Sequence, residues 1–441
     1  MTKMRAVADE TRPAETVAPA TGERDGRAAR TPFARWGAAL RYPAFRLLWL
    51  SLLPGTLGMM MAMVAFGYVA YQLSGSTTTL AVVNLGWGVP LFLLSPVAGV
   101  VADRFARRNV LLATQAVVGL SAVAAAALIL TGSIQVWHLV AVTTAQGMAF
   151  AFNMPARQAL IAELVDRADL ANALAIYNAG LNLNRVAGPA IGGALLTLPA
   201  VGAGGVFTTT AALYAVVLLA LWRIPATAAR PAARPRARAS VVSQLSAGLR
   251  YVLGQPALRR LLVLASLPLL FGMPYQSLMP AVAARVFQVD AAGLGALLSA
   301  NGLGALGGSL LVAGLSSAGD DRRLSHLQLG AGLLFSASLL GFAVSGAFVA
   351  ALPLIALTGG AAAAYTAVNN TLLMSQTPPE YHGRVMGVYM MTFSAMPLSS
   401  LPAAWVADQI GLPSTLAVCA ALSGLVVLTA GGASGWFAGR A

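Results

Sequence analysis

Pro43-Ala44-Phe45-Arg46 opens the first long apolar run of this chain, and Pro256-Ala257-Leu258-Arg259 opens another 213 residues later. Pro189 is matched at the same offset by Pro402. Between these marks lie hydrophobic segments of about 20 residues or more, the length that a helix rising 1.5 Å per residue needs to cross a bilayer. A unit repeated in the same sense reads as two membrane halves in parallel, each of six spans.

Composition points the same way. Hydrophobic residues make up 58% of the chain and charged residues 10%, whereas a soluble domain carries about a quarter charged residues. Cys419 is the one cysteine, so no disulfide framework is expected within the chain, and its apolar surroundings fit a buried, inert thiol. The 28 basic residues outnumber the 14 acidic ones, which on count alone would admit a nucleic-acid partner. Their placement excludes one. Arg104, Arg107 and Arg108 follow the second apolar run, Arg167 the fourth and Arg223 the sixth; Arg322 and Arg323 follow the eighth, Arg384 the tenth, and Arg440 the last. The intervening connections near 74–79, 131–135, 198–205 and 345–347 hold no Lys or Arg. This alternation predicts that both termini lie on the cytoplasmic side of the membrane, with Arg285 as the exception.

The chain then divides into a polar tail over 1–40, a first bundle over 41–224, a cytoplasmic linker over 225–254 and a second bundle over 255–441. The tail has too little apolar content to fold alone, and no cleavable signal is expected. Twelve spans are expected at about 46–71, 79–101, 109–131, 136–160, 170–197, 204–223, 258–281, 292–315, 326–345, 348–373, 383–408 and 412–436. The fold class is all-α integral membrane, with twelve transmembrane helices in two pseudo-symmetric six-helix bundles. Prolines and arginines in the linker suit a flexible basic segment drawn to anionic lipid, and 241–253 alternates apolar and polar positions as a short interfacial helix does.

Gly99-Val100-Val101-Ala102-Asp103-Arg104-Phe105-Ala106-Arg107-Arg108 fills the tight turn between spans two and three. The glycine lets the chain turn closely, and the acid and bases sit where helix ends expose partial charge. Here the chain resembles the major facilitator superfamily. In that superfamily this motif is a cytoplasmic latch between halves, and the resemblance implies that role for Gly99, Asp103, Arg104, Arg107 and Arg108, with Arg384 at the start of span eleven as a partner for Asp103. By pseudo-symmetry Asp320 or Asp321 is expected near Asp169 and Leu170. Phe45-Arg46-Leu47-Leu48-Trp49-Leu50, Asn153-Met154-Pro155-Ala156-Arg157-Gln158-Ala159-Leu160, Asn184-Arg185-Val186-Ala187-Gly188-Pro189 and His382-Gly383-Arg384-Val385-Met386-Gly387 resemble the enterobactin-exporter and macrolide-efflux branch. The resemblance implies export of hydrophobic or amphipathic small molecules.

Arg185 lies near the middle of span five. A charge at that depth costs at least about 2.5 kcal/mol against lipid, so Arg185 must face protein or water. Its role is either structural, bonded to carbonyls freed at Pro189 or to the amides of Asn178, Asn182 and Asn184, or in substrate binding or coupling. Gly188, Pro189 and Gly192 form a segment able to kink and pack closely; a Gly-Pro motif of this kind in span five is associated with export in antiporters of the superfamily. Spans one, four, seven and ten line the pathway in the superfamily. The resemblance therefore implies transport-pathway roles for Gln146, Asn153, Tyr275, Gln276, Tyr365 and Asn369, with Asn182 and Arg185 from span five. Met59, Met60, Met61 and Met63 either form an adaptable wall or simply pack.

Acids fall near span ends, and Leu57-Gly58 is followed by Met59 where members of the branch often carry an acid. Asp408, Glu163 or His138 are the candidates for a coupling proton. Gly302-Leu303-Gly304-Ala305-Leu306-Gly307 matches a dinucleotide fingerprint, but it lies within span eight with no strand before it and suits close helix packing. Lys3 is the one lysine, so a Walker A loop is excluded. The expectation is a secondary transporter, not an enzyme, exporting a drug, antibiotic or siderophore by alternating access. The expected partners are a small-molecule substrate, membrane lipid and a coupling proton, with no nucleic acid, and the chain is expected to work as a monomer without cofactor or metal. A metabolite uptake carrier and a non-transporting membrane scaffold or sensor are the alternatives.

Overall fold

The computed structural model describes residues 37–225, 241–315, 321–378, 381–394 and 396–432. The expected tail to residue 36, most of the basic linker and Asp320 fall outside these residues, as do the side chains of Gly99, Asp103, Arg104 and Asp321.

A 3-10 turn over Ala38–Arg41 leads into a first set of helices: α1 (Pro43–Ser74), α2 (Thr77–Arg104), α3 (Arg107–Leu130), α4 (Val136–Leu164), α5 (Leu170–Thr197) and α6 (Gly202–Trp222). The helix α7 (Val241–Gly254) precedes a second set. There α8 (Pro256–Gly272) continues through α9 (Pro274–Ala281) and a π-helical turn over Val282–Val286, followed by α10 (Ala291–Leu315), α11 (Asp321–Val344) and α12 (Phe348–Ser375). α13 (His382–Ser394) and α14 (Met396–Ile410) follow in series, then α15 (Leu412–Gly432). No strand occurs among the described residues. Pro274, at the first turn of α9 just after Gly272, explains why the seventh span is two helices: its ring lacks the N–H that would continue α8.

Among the described residues nine segments are long and apolar enough to cross a membrane. A total of twelve would need α4, α5 and the α13–α14 pair as well. α4 and α5 are 29 and 28 residues long; their Gln146, Asn153 and Arg157, and Asn182, Asn184 and Arg185, lower their hydropathy. The outer surface is apolar, with Leu120 and Leu130 each 69% exposed, as suits helices solvated by lipid tails.

The two sets repeat their packing. α2 lies on α4, α3 on α6 and α1 on α6; in the second set α10 lies on α12, α11 on α15 and α8 on α15. The sets join through α5 with α10 and α2 with α14, themselves equivalent pairs under the repeat. α7 packs on α13 and α8, with Gly248 against the Arg384 carbonyl and Tyr251 stacked on Tyr381 at 3.9 Å. The expected interfacial helix is thus a packed part of the second set.

Lipid tails are as apolar as leucine, so helices in a membrane associate through close contact and polar bonds. Glycines carry the closest contacts. A Cβ at Gly304 would lie 1.7 Å from the Ala356 carbonyl oxygen, and one at Gly308 2.0 Å from that of Gly360, whereas Gly307 faces open space. The glycine run read as a false nucleotide fingerprint is the seam between α10 and α12. Gly308→Leu is expected to lower thermal stability in detergent by about 1–3 kcal/mol or to prevent folding, while Gly307→Leu leaves the melting temperature near that of the parent.

Candidate functional site

The two sets touch chiefly at the end of the bundle away from the chain termini, the far face. There α5 meets α10: a Cβ at Gly193 would lie 2.5 Å from the Ala291 carbonyl oxygen, and one at Gly295 2.5 Å from that of Pro189. Toward the termini the next contacts in this seam are Ser299 Oγ donating to the Val186 carbonyl at 2.8 Å and Gly302 against the Arg185 backbone. Nearer the termini α5 bonds α1: Trp49 Nε1 donates to the Ile176 carbonyl at 3.1 Å and Asn184 Nδ2 to that of Leu53 at 2.9 Å. Arg185 therefore stands where the two sets part.

Its side chain is exposed although it belongs to the middle of a long helix. A Cβ on Gly302 of α10 would lie 3.5 Å from its Cγ, so it faces the second set. Tyr275 is buried and accepts from Asn301 Nδ2 at 2.8 Å and Gln276 Nε2 at 3.3 Å. Asn301 Nδ2 also lies 3.3 Å from the Ile355 carbonyl in α12. Tyr275, Gln276 and Asn301 thus form one polar cluster across α9 and α10, and Arg185 lies against the same α10 at Gly302. Arg185 forms no ion pair among the described residues. The expected bonds from Arg185 to neighbouring asparagines are not what holds it: Asn184 is turned to α1, where it also bonds Thr56, and Asn182 is half-buried. Asn301 was missed because one amide inside an apolar run reads as helix-packing glue; only the fold brings it to Tyr275.

Other expected pathway residues lie elsewhere. Gln146 donates to Ser121 and Asn153 to Thr114, both in α3 at 3.1 Å. Tyr365 and Asn369 are fully buried inside the second set, with the Tyr365 hydroxyl donating to the Leu264 carbonyl and Gln328 Nε2 donating to Asn369 Oδ1 at 2.6 Å. Both are buried in this conformation, the Tyr365 hydroxyl bound to α8 and Asn369 Oδ1 to α11, while Asn369 Nδ2 is buried without a hydrogen-bond partner. Gly188 and Gly192 pack on Met60 and Met61 of α1, so these methionines are packing, and α5 runs as one helix through Pro189.

The described arginines of the expected latch also hold different partners. Arg107 pairs with Glu163 of α4, and Arg108 donates to the Leu221 and Trp222 carbonyls at the end of α6. Both bonds stay within the first set, where a cation meeting the last carbonyls of a helix is favourable. Arg384 is exposed, with its guanidinium 5.2 Å from the centre of the Tyr381 ring. Asp169 is engaged by Arg41 and Tyr42 at the entry to α1, and the Asp320 and Asp321 side chains expected near it lie outside the described residues.

Arg157 is the residue the sequence reading passed over. It lies within α4, 3% exposed, with Nε 3.4 Å from Asn153 Oδ1 and a buried Nη1 that has no partner. The reasoning that singled out Arg185, a charge inside a span, applied to it equally.

A family model described as a transmembrane secretion effector matches residues 34–433. The multidrug efflux pump Tap of Mycolicibacterium fortuitum is 28% identical over 389 residues, covering 85% of this chain and 91% of that protein. The enterobactin exporter EntS of Escherichia coli O1:K1 is 28% identical over 360 residues, covering 79% and 81%. Among solved structures, a bacterial homolog of the human lysosomal transporter Spinster, inward-facing and unoccupied, superposes with TM-score 0.68 at 15% identity, covering 89% of this chain and 97% of its own. The nucleoside transporter NupG gives 0.70 at 13%, covering 88% and 98%. These structures share the fold.

A buried arginine without an acidic partner is a poor stabiliser, since its desolvation is met by few bonds. Arg157→Met, an apolar side chain of similar length, is expected to melt at or above the temperature of the parent, with a gain of about 1 kcal/mol or more. A clear drop in a thermal unfolding assay would show instead that the charge contributes net stability.

Proposed function

The chain belongs to the transmembrane secretion effector family of the major facilitator superfamily, in the branch holding drug and siderophore exporters, and on that premise we propose that it exports a small amphipathic compound by alternating access. It is a multi-pass membrane transporter and not an enzyme. The proposed membrane is the bacterial inner membrane, with both termini cytoplasmic as the arginine distribution favours. The far face would then be the outer one, and a monomer suffices because both halves belong to one chain.

The observation that carries this reading is Arg185 standing exposed at the point where the two sets part, beside Tyr275 and Asn301 of the other set. Alternating access requires a polar site at the junction of the halves, reached from one side at a time. A guanidinium with no acid paired to it among the described residues attracts hydrogen-bond acceptors and anionic groups. The solute class that follows is an apolar molecule carrying an acidic or carbonyl-rich head, such as an antibiotic or siderophore, ahead of permanent cations. Asn182, Gln276 and Gln146 would shape the cavity, and proton antiport supplies the driving force because the chain has no nucleotide-binding loop.

Accumulation of anionic, neutral and cationic amphiphiles by everted vesicles, with and without a proton gradient, tests this. Arg185→Ala is expected to reduce export of anionic or carbonyl-rich compounds by about tenfold or more, equivalent to ~1.4 kcal/mol of lost interaction, and Asn301→Ala by less. Export of every compound at the rate of empty vesicles would defeat the exporter reading, and export unaffected by the gradient would defeat antiport.

A further inference from the structure

The far face is closed by a bond between the sets that the transport reading does not use. Asp408, near the end of α14, sets its carboxylate on the start of α2. Oδ1 accepts from Thr77 Oγ1 at 2.7 Å and from the Thr77 amide at 3.4 Å. Oδ2 accepts from Thr78 Oγ1 at 2.8 Å, from the Thr78 amide at 3.4 Å and from Ser76 Oγ at 3.3 Å. The Thr77 hydroxyl is shared with the Ala404 carbonyl at 2.8 Å. Three hydroxyls and two amides of one set therefore converge on one carboxylate of the other.

The start of α2 explains why. Ser76 precedes it in an extended conformation and gives it no side-chain cap, so its first amides and its positive dipole end look outward for an anion. Asp408 meets that need from the opposite half. Beside it, Arg285 donates to the Gly75 carbonyl and sits 5.5 Å over the Tyr71 ring, and a Cβ at Gly67 would be 2.6 Å from Pro280. This explains the one arginine that breaks the charge alternation, because Arg285 is a cross-half fastener.

We infer that the Asp408 carboxylate is the bolt of the far-face gate, holding α2 to α14 while ionised and releasing it when protonated. The inference rests on the alternating-access reading. An ionised carboxylate accepts all five bonds and favours the helix end; a protonated one loses its charge and turns one oxygen into a donor facing other donors. A group bound tightly in one conformation as an anion shifts the equilibrium to the other conformation when it takes a proton. The hold is therefore present at neutral pH and lost as the pH falls. Asp408 is exposed on the far face, so protons from that side reach it with the gate closed. It stays on that side throughout, and so it gates without carrying a proton across.

The elements packed on α14 offer few competing titratable groups. α2 ends in Asp103 and Arg104, α8 begins with Arg259 and Arg260, and α13 begins with His382 and Arg384; all lie toward the termini. Tyr389 in α13, Tyr275 in α9 and Cys419 midway along α15 are the others, Tyr275 being bound to Asn301. On the far face Arg285 and Tyr71 face each other, and Asp290 caps the Gly293 amide of its own helix at 3.0 Å.

The test places spin labels at Gln72 and Gln409, both exposed on the far face, with Cys419 replaced by Ala, and reads their distance in lipid nanodiscs from about pH 7.5 to about pH 4, across the carboxylate range. The parent is expected to gain a longer-distance population as the pH falls. Asp408→Asn should show that population at neutral pH, raised roughly threefold or more, with no further response to acid. The Thr77→Val, Thr78→Val double variant, which keeps the acid and removes two of its donors, should also open at neutral pH. An Asp408→Asn protein that keeps the parent's pH response, or a distance unchanged in both variants, overturns the inference. The distances need no substrate, so the gate can fail while efflux stands, and efflux can fail while the gate stands.

Discussion

Lipid gives a helix no hydrophobic reason to leave it for another helix, so everything in this bundle depends on contacts close enough, or polar enough, to beat lipid tails. The closest contacts are those of α10 with α12 and α2 with α4, where a Cβ at Gly147 would lie 2.3 Å from the Trp87 carbonyl oxygen. These seams lie within each set and make it a firm body. The same device joins the sets along α5 and α10, but there it covers only the far half of the seam, from Arg185 to Gly193. Firm bodies joined over part of their length are what a rocking carrier requires.

Two arginines show how the same cost is met in two ways. Arg185 escapes lipid by facing the other half where water can reach it. Arg157 escapes by burial, with one long bond to Asn153 and an orphaned donor. The first arrangement leaves a cation with no ion pair among the described residues, at the place where the proposed solute would pass. The second is harder to justify as structure, since buried charges without good partners are seldom stabilising.

Much of this was legible in the chain. The Pro43 and Pro256 repeat and the glycine run at Gly304 followed from length and spacing, and both are matched by the packing described; the cost of a charge in lipid singled out Arg185, whose exposed side chain lies against α10. What was not legible depends on which face of a helix a residue occupies when no amphipathic pattern marks it. Helices surrounded by lipid and by one another are apolar all round, so Tyr365 and Asn369 read the same whether they line a cleft or clasp α8 and α11. Asn301 and Arg285 were hidden for the same reason, since their partners lie on elements distant in the chain. The arginine motif after α2 was recognisable as a motif, but Arg107 and Arg108 turn out to tie α3 to α4 and α6, a destination that no local pattern encodes.

Those ties place the chain's charges unequally between its two ends. Toward the termini the described charged bonds, Arg107 with Glu163, Arg108 with the end of α6, and Arg41 with Asp169, all join elements of one set. On the far face the corresponding bonds, Asp408 with α2 and Arg285 with Gly75, cross between sets. Bonds within a set survive a rigid-body rotation and bonds between sets must break in it, so the two kinds divide the labour: the first preserve each half as a unit, and the second decide which end is shut. A helix end capped from the opposite half suits the second task, because its strength comes from one charge and falls when that charge is removed, while the glycine seams within each set are left intact.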